Sequence, residues 1–122
     1  FLEPTVLANV PDDARIMHDE PFAPIAPITG FTDRDEVMVR ANNVPFGLAG
    51  YIFTQDAALA QWTAEGLAVG MVGINEVLLA TAEAPFGGIK ESGFGREGGA
   101  LGIMDYLEPK YIKHRLIMDK AL

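Results

Sequence analysis

The sequence contains no cysteine, which removes disulfides, thiolate metal ligands and a thiolate nucleophile from this chain. Histidine is nearly as scarce: His18 and His114 stand far apart, so a histidine-rich metal centre has nothing to be built from, and no metal site is expected. Basic residues number 9 against 17 acidic ones, for a net charge of −8. That field repels phosphate backbones and anionic lipid, so neither nucleic acid nor a membrane is expected as a partner. No apolar run approaches the ~18 residues of a membrane span, and no charged-then-apolar leader opens the chain. A cytoplasmic protein is the default expectation. The first residue is Phe1, not Met, and "FLEPTVLANV" reads as the middle of a domain, which suggests a fragment or a processed piece.

The 122 residues are 49% apolar and 21% charged, a globular balance for one domain able to bury a core. Thr5 to Val10 is a short apolar run closed by Pro11-Asp12-Asp13, which suits a strand and turn. Residues 15 to 24, "RIMHDEPFAP", mix charge with prolines and read as an ordered loop. Residues 25 to 31 read as a strand, with Pro27 arguing for an edge or bulge. Thr32 and the acidic residues after it predict a helix start. Val37, Met38, Ala41 and Val44 continue that helix for about three turns, to Asn42-Asn43 and Pro45. Residues 48 to 54 form the next predicted strand. Asp56 then caps a second helix, with Ala58, Leu59 and Trp62 inward and a stop at Gly66, and 71 to 75 form a third, buried strand. This alternation predicts an α/β fold: a parallel-type sheet with crossover helices. Beyond it, "EGGALGIMDYL" is read as a helix and 110 to 118 as a terminal strand. Lys110, Lys113, His114 and Arg115 make that strand basic, and its edge is a template for another chain.

Between these lies "EAPFGGIKESGFGREGGA", residues 83 to 100, containing Gly93-x-Gly95-x-x-Gly98. A dinucleotide fingerprint of that spacing requires a strand before it, a helix after it and an acidic residue about twenty positions on. "PFGGIKES" does not read as a strand, and the position twenty residues past Gly93 is the basic Lys113. Lys90 is not in a phosphate-loop frame either. The glycines are therefore read as permitting positive φ and close backbone packing.

The run "PFGGIKESGFGREGG", with "EPTVLANV", "HDEPFAPI", "GLAGYIFT" and "GMVGIN" in order, resembles the C-terminal part of an NAD(P)-dependent aldehyde dehydrogenase from Glu3 to about Lys113. The wording of residues 73 to 99 is most similar to the succinate-semialdehyde dehydrogenase branch. The resemblance implies residues 1–107 as the C-terminal part of the catalytic domain, and 108–122 as an oligomerisation strand and tail forming a homo-oligomer. It implies NAD or NADP as cofactor and a small aldehyde as substrate, oxidised to a carboxylic acid.

By the same resemblance, Glu20 corresponds to the glutamate that binds the nicotinamide ribose, and Phe22 to the aromatic beside the nicotinamide. Ala23 departs from the family's glycine. Without the resemblance, Glu20 would read as a solvated loop charge. Asn75 corresponds to a residue near the active-site floor, and is equally readable as an asparagine ending a strand in a turn. Residues 76 to 84 would line the aldehyde entrance. In the succinate-semialdehyde branch a hydroxyl near positions 80 and 81 holds the substrate's distal carboxylate; Thr81 can supply one and Ala80 cannot. Phe86 corresponds to a substrate-pocket aromatic, though a lone Phe is more often core. Lys90, Ser92 and Arg96 are read as architectural, pinning the glycine loop by hydrogen bonds. The family's chemistry needs a cysteine nucleophile and a glutamate base. Both would lie outside this chain, so it holds no catalytic residue and is expected to be inactive alone. A non-catalytic binding or assembly module with the same fold is the alternative.

Overall fold

In the computed structural model, which describes residues 1–116, two α-helices and six short strands follow the predicted alternation. Strands β1 (Thr5–Ala8) and β2 (Ile25–Ile28) pair in parallel, Thr5 opposite Ile25 and Ala8 opposite Ile28. β4 (Ala49–Ile52) and β5 (Met71–Ile74) also pair in parallel, from Ala49 opposite Met71 to Ile52 opposite Ile74. Helix α1 (Arg34–Asn42) leads from β2 to β3 (Phe46–Gly47), and α2 (Ala57–Gly66) is the crossover between β4 and β5. The α/β character and parallel pairing are thus as expected.

The single sheet is not. The strands form three separate two-stranded ladders, and the third, β3 with β6 (Ile89–Lys90), is antiparallel. The first parallel crossover is made by a loop with one 3-10 turn, Arg15–Met17, in place of a helix. Pro27 sits in a strand with a single neighbour, as its missing N–H allows.

Capping explains where the helices begin. Asp33, one residue after Thr32, caps α1 by accepting from Glu36 N at 2.8 Å. Asp56 Oδ1 accepts from Ala58 N and Leu59 N at 2.9 and 3.1 Å at the start of α2. The helices are then joined at their ends by one amide: Asn42 Nδ2 donates to Gly66 O at 2.8 Å and its Oδ1 accepts from Ala68 N at 2.7 Å.

Three further expectations need correction. The helix predicted through "EGGALGIMDYL" is reduced to a 3-10 turn at Met104–Tyr106, because Gly98 and Gly99 take φ of +69° and +56°, incompatible with a right-handed helix. Residues 110 to 116 of the predicted terminal strand pair with nothing among the described residues and form no strand; 117 and 118 lie outside them. Finally, the expected core is minimal: among the described residues only Val10, Ile52 and Ala60 are buried apolar side chains. Ala58 is exposed where Ala60 is buried, and Ile74 of the supposedly buried β5 is 41% exposed. Two-stranded ladders leave most of their faces uncovered.

Candidate functional site

The glycine-rich segment is a closed loop. Phe86 and Glu97 exchange two backbone hydrogen bonds of 2.7 Å, and within the loop β6 reaches back to pair with β3. Arg96 Nη1 fastens it by donating to Gly88 O and Gly95 O at 2.9 and 2.7 Å. Ser92 Oγ accepts from Gly47 N at 2.9 Å, and Lys90 Nζ donates to Asn42 O and Val44 O at 3.0 and 3.2 Å. These three side chains have the architectural role read from the sequence. At Gly70 the backbone passes so close to Gly87 and Gly88 that a Cβ would lie 2.8 Å from Gly88 Cα. No phosphate cradle results: the preceding strand has two residues, and the segment is followed by a 3-10 turn.

Loop closure gathers part of the predicted substrate set. Ala80, Thr81 and Phe86 line one open depression of about 430 Å³, together with Glu97 and Gly98. Gly99 N donates to Ala82 O at 3.0 Å and so holds residues 80 to 84 against the loop. Asn75 lies elsewhere. Its Oδ1 accepts from Thr54 N at 2.9 Å and its Nδ2 donates to Thr54 O at 2.8 Å, so its amide clasps the chain leaving β4. It lines a different hollow, beside Thr54 and Ile74.

Glu20 and Phe22 stand on the long loop between β1 and β2. Glu20 is exposed on the wall of a cleft of about 660 Å³, shared with Pro21, Phe46, Gly47, Tyr51 and Ser92. Phe22 is 95% exposed. An aromatic side chain held in water forgoes its large burial free energy, so this face is available for a partner or ligand to cover. The Glu20 cleft and the Thr81 depression are separate hollows in this chain.

Two carboxyls are held below their usual range. The Arg40 guanidinium hydrogen-bonds Asp12, and the Leu78 and Val77 amides, in that order, favour the ionised Glu76. Glu76 Oε1 accepts from those amides at 2.8 and 2.7 Å and so fixes the start of the segment leading to Ala80. Both groups are exposed anions, a structural duty; neither resembles an acid kept protonated for proton transfer.

Comparison with known proteins decides the lineage. The model of the aldehyde dehydrogenase family matches residues 1–112. The chain belongs to the aldehyde dehydrogenase family. It is 50% identical over 112 residues to the Homo sapiens protein "Succinate-semialdehyde dehydrogenase, mitochondrial", covering 92% of this chain and 21% of that protein. It is 51% identical over 112 residues to a Pseudomonas aeruginosa glutarate-semialdehyde dehydrogenase, covering 92% of this chain and 23% of that one. Among solved structures, an aldehyde dehydrogenase from Brucella melitensis superposes with a TM-score of 0.86 at 45% identity, over 92% of this chain and 23% of that one. An NAD+ complex of an aldehyde dehydrogenase from Bacillus cereus gives 0.83 at 41% identity, over 88% and 22%. The chain thus spans about a fifth of the length of the relatives it matches. Among the described residues no helix is long and apolar enough to cross a membrane, and no cluster of His, Asp and Glu is suited to a metal.

Two contributors to the loop escaped sequence reasoning. Glu97 was visible as a charge among glycines, but its place opposite Phe86 depends on the bridge between them. Asp105 Oδ2 accepts from Arg96 N at 2.8 Å, a contact nine residues apart that no local pattern announces.

Proposed function

We propose that this chain forms one wall of the active site of an NAD(P)-dependent dehydrogenase that oxidises a short semialdehyde carrying a distal carboxylate, succinate semialdehyde being the leading candidate. The gathering of Thr81, Ala80 and Phe86 in one depression carries the reading. The names of the relatives support the substrate class, since succinate and glutarate semialdehyde differ by a single methylene.

On the cofactor side, the exposed Glu20 fits a ribose diol, because a carboxylate can accept from two hydroxyls at once. The open face of Phe22 fits a flat nicotinamide and would exclude water from it. When bound, the nicotinamide supplies the hydride acceptor. On the substrate side, Thr81 offers a hydroxyl to the distal carboxylate and Phe86 an apolar surface to the carbon chain. Glu97 lines the same depression and opposes a carboxylate there unless a cation is supplied, and Arg96 Nη1 is committed to carbonyl groups. The cation that neutralises the substrate therefore comes from outside this chain, as does the nucleophile, since the chain has no cysteine. The 122 residues alone are expected to show no dehydrogenase activity. Asn75 acts here through the backbone it holds, orienting the end of β5. The cytoplasm is the proposed compartment, whereas the human relative is named as mitochondrial.

A second reading is favoured by one observation. Tyr111, Ile112 and Leu116 are 85%, 77% and 79% exposed, so residues 108–116 offer an apolar surface for joining a neighbouring copy. In this reading the chain is a non-catalytic binding or assembly module. Reading the coding sequence upstream of Phe1 separates the two. A cysteine after a glycine-rich segment, with cofactor reduction by succinate semialdehyde in the longer product, supports the enzyme. An initiator methionine immediately before Phe1 would sink it for this gene product.

A further inference from the structure

Residues 9 to 24, between β1 and β2, are an excursion whose internal hydrogen bonds are local. Met17 N bonds Ala14 O, His18 N and Asp19 N bond Arg15 O, and Ala23 N bonds Pro21 O. Backbone bonds to the ladder come at the two ends of the loop, Val10 N to Ile28 O at 3.3 Å and Thr5 N to Pro24 O at 2.9 Å. One side chain outside the loop also grips it. Arg40 on α1 donates from Nε and Nη2 to both carboxylate oxygens of Asp12, each at 2.7 Å, gripping the outgoing limb. The same guanidinium donates from Nη2 to Thr29 Oγ1 at 2.9 Å and from Nη1 to Gly30 O at 3.2 Å, anchoring Asp12 to the segment that follows β2.

The Arg40 side chain is only 21% exposed, and its planar fork uses four acceptors, a geometry that an ammonium cannot reproduce. Between the loop and α1 lies a hollow of about 320 Å³, lined by Met17 and His18 of the loop and by Val37, Ala41 and Val44.

We infer that Arg40 is a positioning residue: by tying Asp12 to Thr29 and Gly30 it holds the loop that presents Glu20 and Phe22 to a dinucleotide cofactor. This role rests on the proposed function of those two residues. The test uses the longest natural polypeptide carrying this chain, as wild type, Arg40→Met, Arg40→Lys and Asp12→Asn. Hydrogen exchange is measured at amides 15–23 and in α2, and KM is measured for cofactor and for aldehyde.

Arg40→Met is expected to speed exchange in 15–23 and not in α2, and to raise the cofactor KM by up to about 100-fold with little change for aldehyde. Arg40→Lys and Asp12→Asn, which retain fewer bonds of the clasp, should fall between. Unchanged exchange in 15–23 would overturn the clasp. Faster exchange there with an unchanged cofactor KM would overturn its role in positioning, as would equal losses in both KM values accompanied by loosening of α2. A wild type that reduces no cofactor would remove the functional reading and this role with it, an outcome that the exchange data distinguish from failure of the clasp itself.

Discussion

Asp12 is a single exposed carboxylate whose ionisation the fold exploits. Its hydrogen bonds to Arg40 favour the charged form, so its folded pKa lies below the ordinary aspartate value. Between those two values the unfolded chain binds a proton that the folded chain does not, and lowering the pH therefore favours unfolding. The contribution is complete above the ordinary value of about 3.9 and disappears as pH falls through the depressed one. Glu76, lowered by the Leu78 and Val77 amides, acts with the same sign. Asp12→Asn should flatten part of the acid limb in plots of urea midpoint against pH while leaving the Glu76 share. An acid limb of wild-type steepness would refute the assignment. This part of the molecule was hard to read in the sequence. Asp12 sat in a predicted turn and Arg40 on a predicted helix, but their meeting 28 residues apart depends on the parallel return of β2.

Elements were more legible, because their signals are local. Asp56 announces α2 by being an acceptor two and three residues ahead of free amides, and the structure shows those two bonds. Asp56→Ala should cost about 1 kcal/mol, within the range for lost caps, and Asp56→Asn much less. Thermal midpoints of the two variants check this, and equal losses would assign the effect to charge in place of the cap's hydrogen bonds. Pro27 at an edge was legible for the same reason, whereas the architectural use of Lys90, Ser92 and Arg96 was read through the resemblance, since Lys90 and Ser92 bond partners more than forty residues away. The false helix after Glu97 shows the limit: its apolar residues have helical spacing, but Gly98 and Gly99 enter the left-handed region to turn against Glu83, Ala84 and Pro85. A distant contact overrode the local pattern. The proposed substrate residues come from the resemblance, which did not foretell their division between two hollows. Ala80, Thr81 and Phe86 meet through the loop closure, while Asn75 is spent on Thr54.

At the scale of the whole molecule, surface decides. A compact 13.1 kDa protein is expected to expose about 6,400 Å², whereas this chain exposes 10263 Å². The excess, about 4,000 Å² on one chain, is larger than the share of about 1,000–2,500 Å² that each partner contributes to a permanent interface. Much of the exposed apolar side-chain surface lies on residues 101 to 116, where Tyr106, Tyr111, Ile112 and Leu116 are each more than three-quarters exposed. Those residues are followed by no strand partner among the described residues, and they carry Lys110, Lys113 and Arg115 in a chain of net charge −8. In the proposed assembly, a second copy would offer both apolar contact and opposite charge to this segment. Sedimentation of the chain should show an associated species, weakened by salt if charge contributes to docking and lost when residues 108 to 122 are removed. Equal, monomeric masses for both forms would instead assign the excess surface to contacts with the rest of a longer polypeptide, and would remove the segment from any role in assembly.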